Sequence, residues 1–249
     1  MLKIAKLNHG SEIFHTIQGE GKNLGVPSVF VRLSLCNLYC VWCDTDYTWN
    51  WENTDYKHFN DSKPGYSKFK KSEFILQKNT EELFQEITEY DCKNIVVTGG
   101  EPLVQHKQLI ELCKKLKNDS KHIEVETNGT LIPNCDLEQY IDQYNVSIKL
   151  SNSDVKREER IVPESINFFA NSDKSNFKFV IESEEDLDEV LDIIDDYSII
   201  HSQVYLMPQG TTPEMLNKKQ QWLIEICKEY GFNYTDRLHI HIYGPKRGV

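Results

Sequence analysis

Cys36, Cys40 and Cys43 crowd into eight residues of a chain whose other cysteines, Cys92, Cys113, Cys135 and Cys227, are scattered. An odd total of seven with three so close suits metal ligation in a reducing compartment better than a disulfide framework. Thiolates hold iron–sulfur clusters, and a [4Fe-4S] cube with three protein ligands leaves one iron open to a small molecule. Structural zinc is the competing chemistry. It needs a fourth ligand, for which Asp44, His58 or Cys92 can be proposed. The trio follows an apolar, β-branched run at 29–35, which places it on the loop at a strand's C-terminal end, where parallel α/β folds bind ligands. Gly99-Gly100-Glu101-Pro102 ends the next such run; alone it reads as an ordinary strand-to-helix turn.

Positioning these groups falls to a series of βα units. Candidate strands are 28–35, 94–98, 123–126, 146–150, 177–181, 204–207 and 238–243. Leu109, Leu112, Cys113 and Leu116 form one helical stripe, and Leu216, Leu223, Ile226, Cys227 and Tyr230 another, so Cys113 and Cys227 read as core. Ser183 with Asp186 resembles a capping box, and Thr212-Pro213 puts proline at a first helical position. Residues 46–78 are different. Tyr47, Trp49, Trp51, Tyr56, Phe59, Tyr66 and Phe69 interleave there with polar residues without periodicity, which predicts an irregular excursion beside the cysteines. About six βα strands are too few for a closed eightfold barrel, so the expectation is one domain over 1–249, a partial, distorted (β/α) barrel.

Asp and Glu number 39 against 28 Lys and Arg, a formal charge of −11, which argues against nucleic acid as a direct partner. No apolar run approaches a membrane span and the N-terminal segment 1–9 lacks the apolar core of a signal peptide, so a soluble, cytoplasmic protein is expected.

The C-x3-C-x2-C spacing resembles the cluster motif of the radical S-adenosylmethionine (AdoMet) superfamily, and Gly99-Gly100-Glu101-Pro102, one βα unit later, is similar to its GGEP segment. Thr16-Ile-Gln-Gly-Glu-Gly21, Phe30-Val-Arg-Leu33, Cys43-Asp-Thr45 and Lys246-Arg-Gly-Val249 narrow the resemblance to the 7-carboxy-7-deazaguanine synthase family. It runs over essentially the whole chain, with no match at 46–78 or 156–175. It implies conversion of 6-carboxy-5,6,7,8-tetrahydropterin to 7-carboxy-7-deazaguanine with loss of ammonia, on the route to queuosine.

The resemblance also implies roles, each beside a plainer alternative. Ile17, Gln18, Gly19 and Glu20 would meet the pterin; a glycine turn is the alternative. Arg32, Thr98, His239 and Val249 would complete the substrate site, Val249 through its terminal carboxylate and His239 from the polar face of a final strand. A surface arginine, a structural threonine and a solvent-facing histidine are the alternatives. Trp42, Asp44, Gly100, Ser147, Lys149 and Gln209 would contact AdoMet, although many relatives read Ser-Pro-Lys where this chain has Ser147-Ile148-Lys149. Glu126-Thr-Asn-Gly129 is read either as approaching the adenosine or as a turn. Cys36, Cys40 and Cys43 would hold the cluster, and Thr45 a Mg²⁺ ion that also binds substrate. An external one-electron reductant of the flavodoxin or ferredoxin type and a homodimer are further implications. A radical AdoMet activase acting on a partner protein shares the cysteine spacing and stands as the alternative.

Overall fold

Period-two alternation in the βα strands gives each an apolar and a polar face. The computed structural model describes all 249 residues and arranges eleven strands in one sheet. They are β1 (Leu2–Leu7), β2 (Gly10–Ser11), β3 (Ile13–Ile17), β4 (Pro27–Leu33), β5 (Ile75–Lys78), β6 (Asn94–Gly99), β7 (His122–Thr127), β8 (Gln143–Val146), β9 (Ser175–Ile181), β10 (Val204–Pro208) and β11 (Asn233–Tyr234). The order is β11-β10-β9-β8-β7-β6-β4-β1-β2, with β3 also on β4 and β5 on β1. Neighbours from β4 to β11 are parallel, while β1, β3 and β5 join antiparallel at the β4 end. The sheet stays open, as expected of a partial, distorted barrel.

Val31 and Leu33 of β4, Val97 of β6, Val125 of β7, Val146 of β8 and Phe179 of β9 all enter one large apolar core. The alternate residues, Arg32, Thr98, Glu124, Glu126, Asn145 and Lys178, therefore point to the opposite face. Helix His106–Asn118 lays Leu109, Leu112, Cys113 and Leu116 on the apolar face, and helix Pro213–Tyr230 lays Leu216, Leu223 and Cys227 there. Burying one such leucine contributes about 1.5–3 kcal/mol, so packing of the stripe rather than intrinsic propensity holds each helix. Thr212 caps the second helix, its hydroxyl accepting from the Met215 amide at 3.3 Å, with Pro213 in the first turn.

Several expectations are corrected. Leu238–Tyr243 is a short helix, not a final strand. The neighbouring edge of β10 is already taken by β11, and only Ile240 of the supposed apolar face is buried, Ile242 being 52% exposed. The strand placed at 146–150 ends at Val146: the ladder's last reach is the Ser147 amide to Thr127 O at 2.7 Å, after which the chain turns toward Ser151–Ser153. Ser183 is not a cap. The helix Asp186–Tyr197 starts from Glu185 without a side-chain cap, and it is Asp186 that accepts from the Glu182 and Ser183 amides. The sheet also extends ahead of β4, outside the expected strand set: β1 and β2 pair as a hairpin, for which Asn8-His9-Gly10 between alternating runs carries the signal.

The excursion at 46–78 holds two 3-10 turns, a one-turn helix and β5. Tyr47, Trp49 and Trp51 are buried, and the Asp46 carboxylate accepts from Tyr66 Oη at 2.8 Å, so aromatic and polar contacts order it where periodicity is absent.

Candidate active site

The cysteine loop is held by β6. Leu35, with φ of 77°, turns the chain out of β4. The Gly100 amide donates to Leu33 O at 3.2 Å and the Glu101 amide to Leu35 O at 2.8 Å. A Cβ on Gly99 or Gly100 would collide with those same two carbonyls, so the paired glycines are what lets the end of β6 approach the loop. Glu101 accepts from the Leu103 and Asn128 amides and the Thr127 hydroxyl, tying the ends of β6 and β7 together; burial pushes its carboxyl up to about 6.

Leu38, Cys40 and Val155 form a small apolar cluster against which Cys36, Trp42 and Cys43 pack. Burial pushes the Cys36 thiol well up, Cys40's up to about 12, and Cys43's up as well. A metal centre supplies the positive charge that such thiols need to become ligands. No three His, Cys, Asp or Glu side chains are placed to hold one ion, a requirement that a cube does not impose, since each of its irons takes a separate thiolate. The proposed fourth zinc ligands are all engaged. His58 meets Cys43 O through Nε2 at 2.8 Å and accepts the Asn60 amide at Nδ1. Asp44 pairs with Arg237, and Cys92 lies at the far end of β4, its thiol toward Pro27 O. The donor set fits an open-sided cluster.

Beside the cysteines, the Trp42 indole donates to Asn152 O at 2.9 Å. Lys149 Nζ donates to Ser147 Oγ at 2.8 Å and lies 5.9 Å from the Trp42 ring centroid. Gln209 continues β10, its amide on Ile181 O at 2.8 Å. Thr45 precedes a 3-10 turn, its hydroxyl 3.4 Å from Cys43 Sγ.

The opposite wall is charged. Glu20 bonds Lys178 and, at 2.9 Å, Arg237 Nε, with His239 Nε2 at 3.9 Å. Burial would raise the Glu20 carboxyl, but Lys178, Arg237 and His239 hold it well below the usual carboxylate range. Burial lowers His239, which favours its neutral form. Gly19 sits flat against that imidazole, where a Cβ would strike Nδ1. Gln18 is 1% exposed and donates to Glu124 at 2.6 Å, so it braces the wall from behind. Arg32 and Tyr47 converge on Glu12 at 3.0 and 2.8 Å, and Arg247 bonds Glu12 while stacking on Tyr47 at 3.5 Å. Thr98 donates to Glu126 at 2.8 Å. Fixed cations beside fixed carboxylates can orient a polar heterocycle that carries both donors and an acid group.

Every residue expected to meet substrate, AdoMet, the cluster or Mg²⁺ by resemblance, from Ile17 to Val249, lines this one cavity at the C-terminal ends of β4 to β10, except Gly129, whereas the zinc alternatives His58 and Cys92 do not. Val249 and Arg247 reach it because the tail folds back over Leu7 and Lys6. His239 arrives on the first turn of a helix, with the Leu238 amide on Gly19 O at 2.9 Å. Sequence reasoning missed Glu12, Tyr47, Lys178, Arg237 and Arg247, and gave Glu126 no substrate-side place. Lys178 had a signal: a lysine inside the otherwise apolar Phe177-Lys-Phe-Val-Ile181 run must be paired if the strand is buried.

The sequence matches the model of the Radical SAM superfamily over residues 31–167. A 7-carboxy-7-deazaguanine synthase of Pyrobaculum aerophilum is 37% identical, covering 95% of both chains. One from Rhodopirellula baltica is 32% identical over 96% of this chain and 88% of its own. The crystal structure of QueE from Escherichia coli superposes with a TM-score of 0.63 at 24% identity, covering 91% of this chain and 92% of that one, a likeness of fold.

Proposed function

This chain belongs to the 7-carboxy-7-deazaguanine synthase family of the radical SAM superfamily, and we propose that it contracts 6-carboxy-5,6,7,8-tetrahydropterin to 7-carboxy-7-deazaguanine with release of ammonia, on the route to queuosine. The observation that carries this reading is one cavity walled by three clustered thiols on one side and the Glu20–Lys178–Arg237 network on the other.

Cys36, Cys40 and Cys43 would hold the [4Fe-4S] cluster, and Trp42, Asp44, Gly100, Ser147, Lys149 and Gln209 would frame AdoMet. When bound, these two cofactors supply a 5'-deoxyadenosyl radical. Glu20 would accept from the pterin's amino and ring N–H groups, kept anionic by Lys178 and Arg237. Gln18, itself engaged with Glu124, would fix Glu20 by accepting its amide at 3.2 Å. Arg32, Thr98 and His239 would place the ring and its carboxylate, while Ile17, Gly19 and Val249 shape the walls and exclude water. Thr45 would give a hard oxygen to a Mg²⁺ ion that would help to hold the substrate carboxylate. We place the enzyme in the cytoplasm as a homodimer of one-domain chains, reduced by an external one-electron carrier. No helix is long and apolar enough to cross a membrane.

The experiment is anaerobic reconstitution with iron and sulfide, followed by product analysis with carboxytetrahydropterin, AdoMet and a reductant. 7-Carboxy-7-deazaguanine is expected. AdoMet cleavage without it would overturn the synthase reading in favour of an activase.

A further inference from the structure

Charge is unevenly spread over this acidic chain. Against a formal net charge of −11, residues 57–71 carry Lys57, Lys63, Lys68, Lys70 and Lys71 with Asp61 as their one acid. The same stretch rests on the cysteine loop. The Phe59 amide donates to Val41 O at 2.8 Å, and buried His58 meets Cys43 O at 2.8 Å. Phe59 itself stands 55% exposed, with exposed Lys57 and Lys63 on either side of it in sequence. Lys68 is tied to Thr54 O, Lys70 to Glu73 and Lys71 to the Trp51 ring, whereas Lys57 and Lys63 make no side-chain hydrogen bond or ion pair.

An apolar centre flanked by two unpaired lysines, with the intervening Asp61 already engaged by Asn50, the His58 amide and Lys68, has the make-up of a transient docking surface. We propose that the face around Lys57, Phe59 and Lys63 receives an acidic electron-carrier protein and is the entry point for the electron that reduces the cluster. The inference rests on the reading of Cys36, Cys40 and Cys43 as cluster ligands. The carrier loses one electron, the cluster gains it, and no atom is transferred. Charge makes the patch selective as well as attractive: the rest of the acidic chain repels an acidic partner, so encounters are steered to this face, where a hydrogen bond separates His58 from a cluster ligand's own backbone.

The test follows bleaching of the cluster absorbance in reconstituted enzyme on mixing with an acidic flavodoxin in its hydroquinone form or with photoreduced deazaflavin, a small neutral reductant. Lys57→Glu/Lys63→Glu is expected to slow reduction by flavodoxin about tenfold at low salt and to flatten its dependence on ionic strength, while deazaflavin reduces variant and wild type equally. Phe59→Ser should slow flavodoxin without changing the salt slope. Lys107→Glu/Lys114→Glu, on the outer helix His106–Asn118, should change neither rate. Equal flavodoxin rates in wild type and the Lys57/Lys63 variant, or an equal loss in the Lys107/Lys114 variant, would overturn the proposal. Absence of any cluster reducible by deazaflavin would instead overturn the cluster assignment itself.

Discussion

The two walls of the cavity are built in opposite ways. The cysteine wall comes from one loop, in which Cys43 and Thr45 are two positions apart. In the charged wall, Glu20 and Arg237 are 217 positions apart and Glu12 and Arg247 are 235 apart. Metal ligation needs a few soft donors at fixed spacing, which a short loop supplies. Holding several charges out of water needs each to be matched by its opposite, and only the closed tertiary structure brings the partners together. The first wall should therefore fail by losing its cofactor and the second by losing stability and substrate.

The largest effect is expected from Cys36→Ala, Cys40→Ala or Cys43→Ala. Each should bring AdoMet cleavage to background and lower bound iron while the fold persists, as read by iron analysis and circular dichroism. Retained cleavage in any of them would break the contrast at its stronger side.

Glu20→Gln probes the other wall. It leaves Lys178 without its carboxylate and Arg237 with Asp44 alone, a loss of about 3–5 kcal/mol for a buried pair, measurable by denaturant unfolding at neutral pH. Because the folded carboxyl is lowered, its stabilisation is fully present above the ordinary value of 4.5 and is lost as pH falls through the folded value. The stability gap between wild type and Glu20→Gln should thus shrink below pH 4.5. A gap that widens in acid would show that the carboxyl is not held down. Cluster content should be unchanged at neutral pH.

Deleting Gly248-Val249 keeps Arg247 on Glu12 but removes the end of the tail from the cavity. Loss of a substrate contact of about 1.5 kcal/mol corresponds to roughly a tenfold rise in KM, with cluster content intact. An unchanged KM would make the last two residues structural only. A smaller effect is expected from Thr45→Val, which removes one oxygen ligand while nearly keeping shape: activity and its stimulation by Mg²⁺ should both fall. Wild-type stimulation in that variant would remove Thr45 from the metal site.

The smallest effect is Cys113→Ala. This thiol lies wholly within the apolar core, so activity should hold while stability drops by roughly 1 kcal/mol. Loss of AdoMet cleavage there would mean that thiols outside the loop also serve the cluster.

The sequence by itself determined the parts whose meaning is local. Three thiols at fixed spacing point to metal chemistry, period-two runs place β6, β7, β9 and β10, and the stripes on His106–Asn118 and Pro213–Tyr230 mark the faces that pack on the sheet. The tertiary structure decided the rest. Leu238–Tyr243 alternates as a strand does, yet it is a short helix docked on the Gly19 carbonyl through the Leu238 amide, directly after Arg237, which is anchored on Glu20, Asp44 and Gly210 O. Lys178 and Glu126 sit in strands that look like core in one dimension. They become the charged wall because alternation turns them to the cavity face, where Glu20 and Gln18, from the loop after β3, and Thr98 of β6 meet them. Hydrophobic periodicity is a property of neighbours in sequence, whereas compensation of buried charge is a property of neighbours in space, and only folding makes the second kind visible.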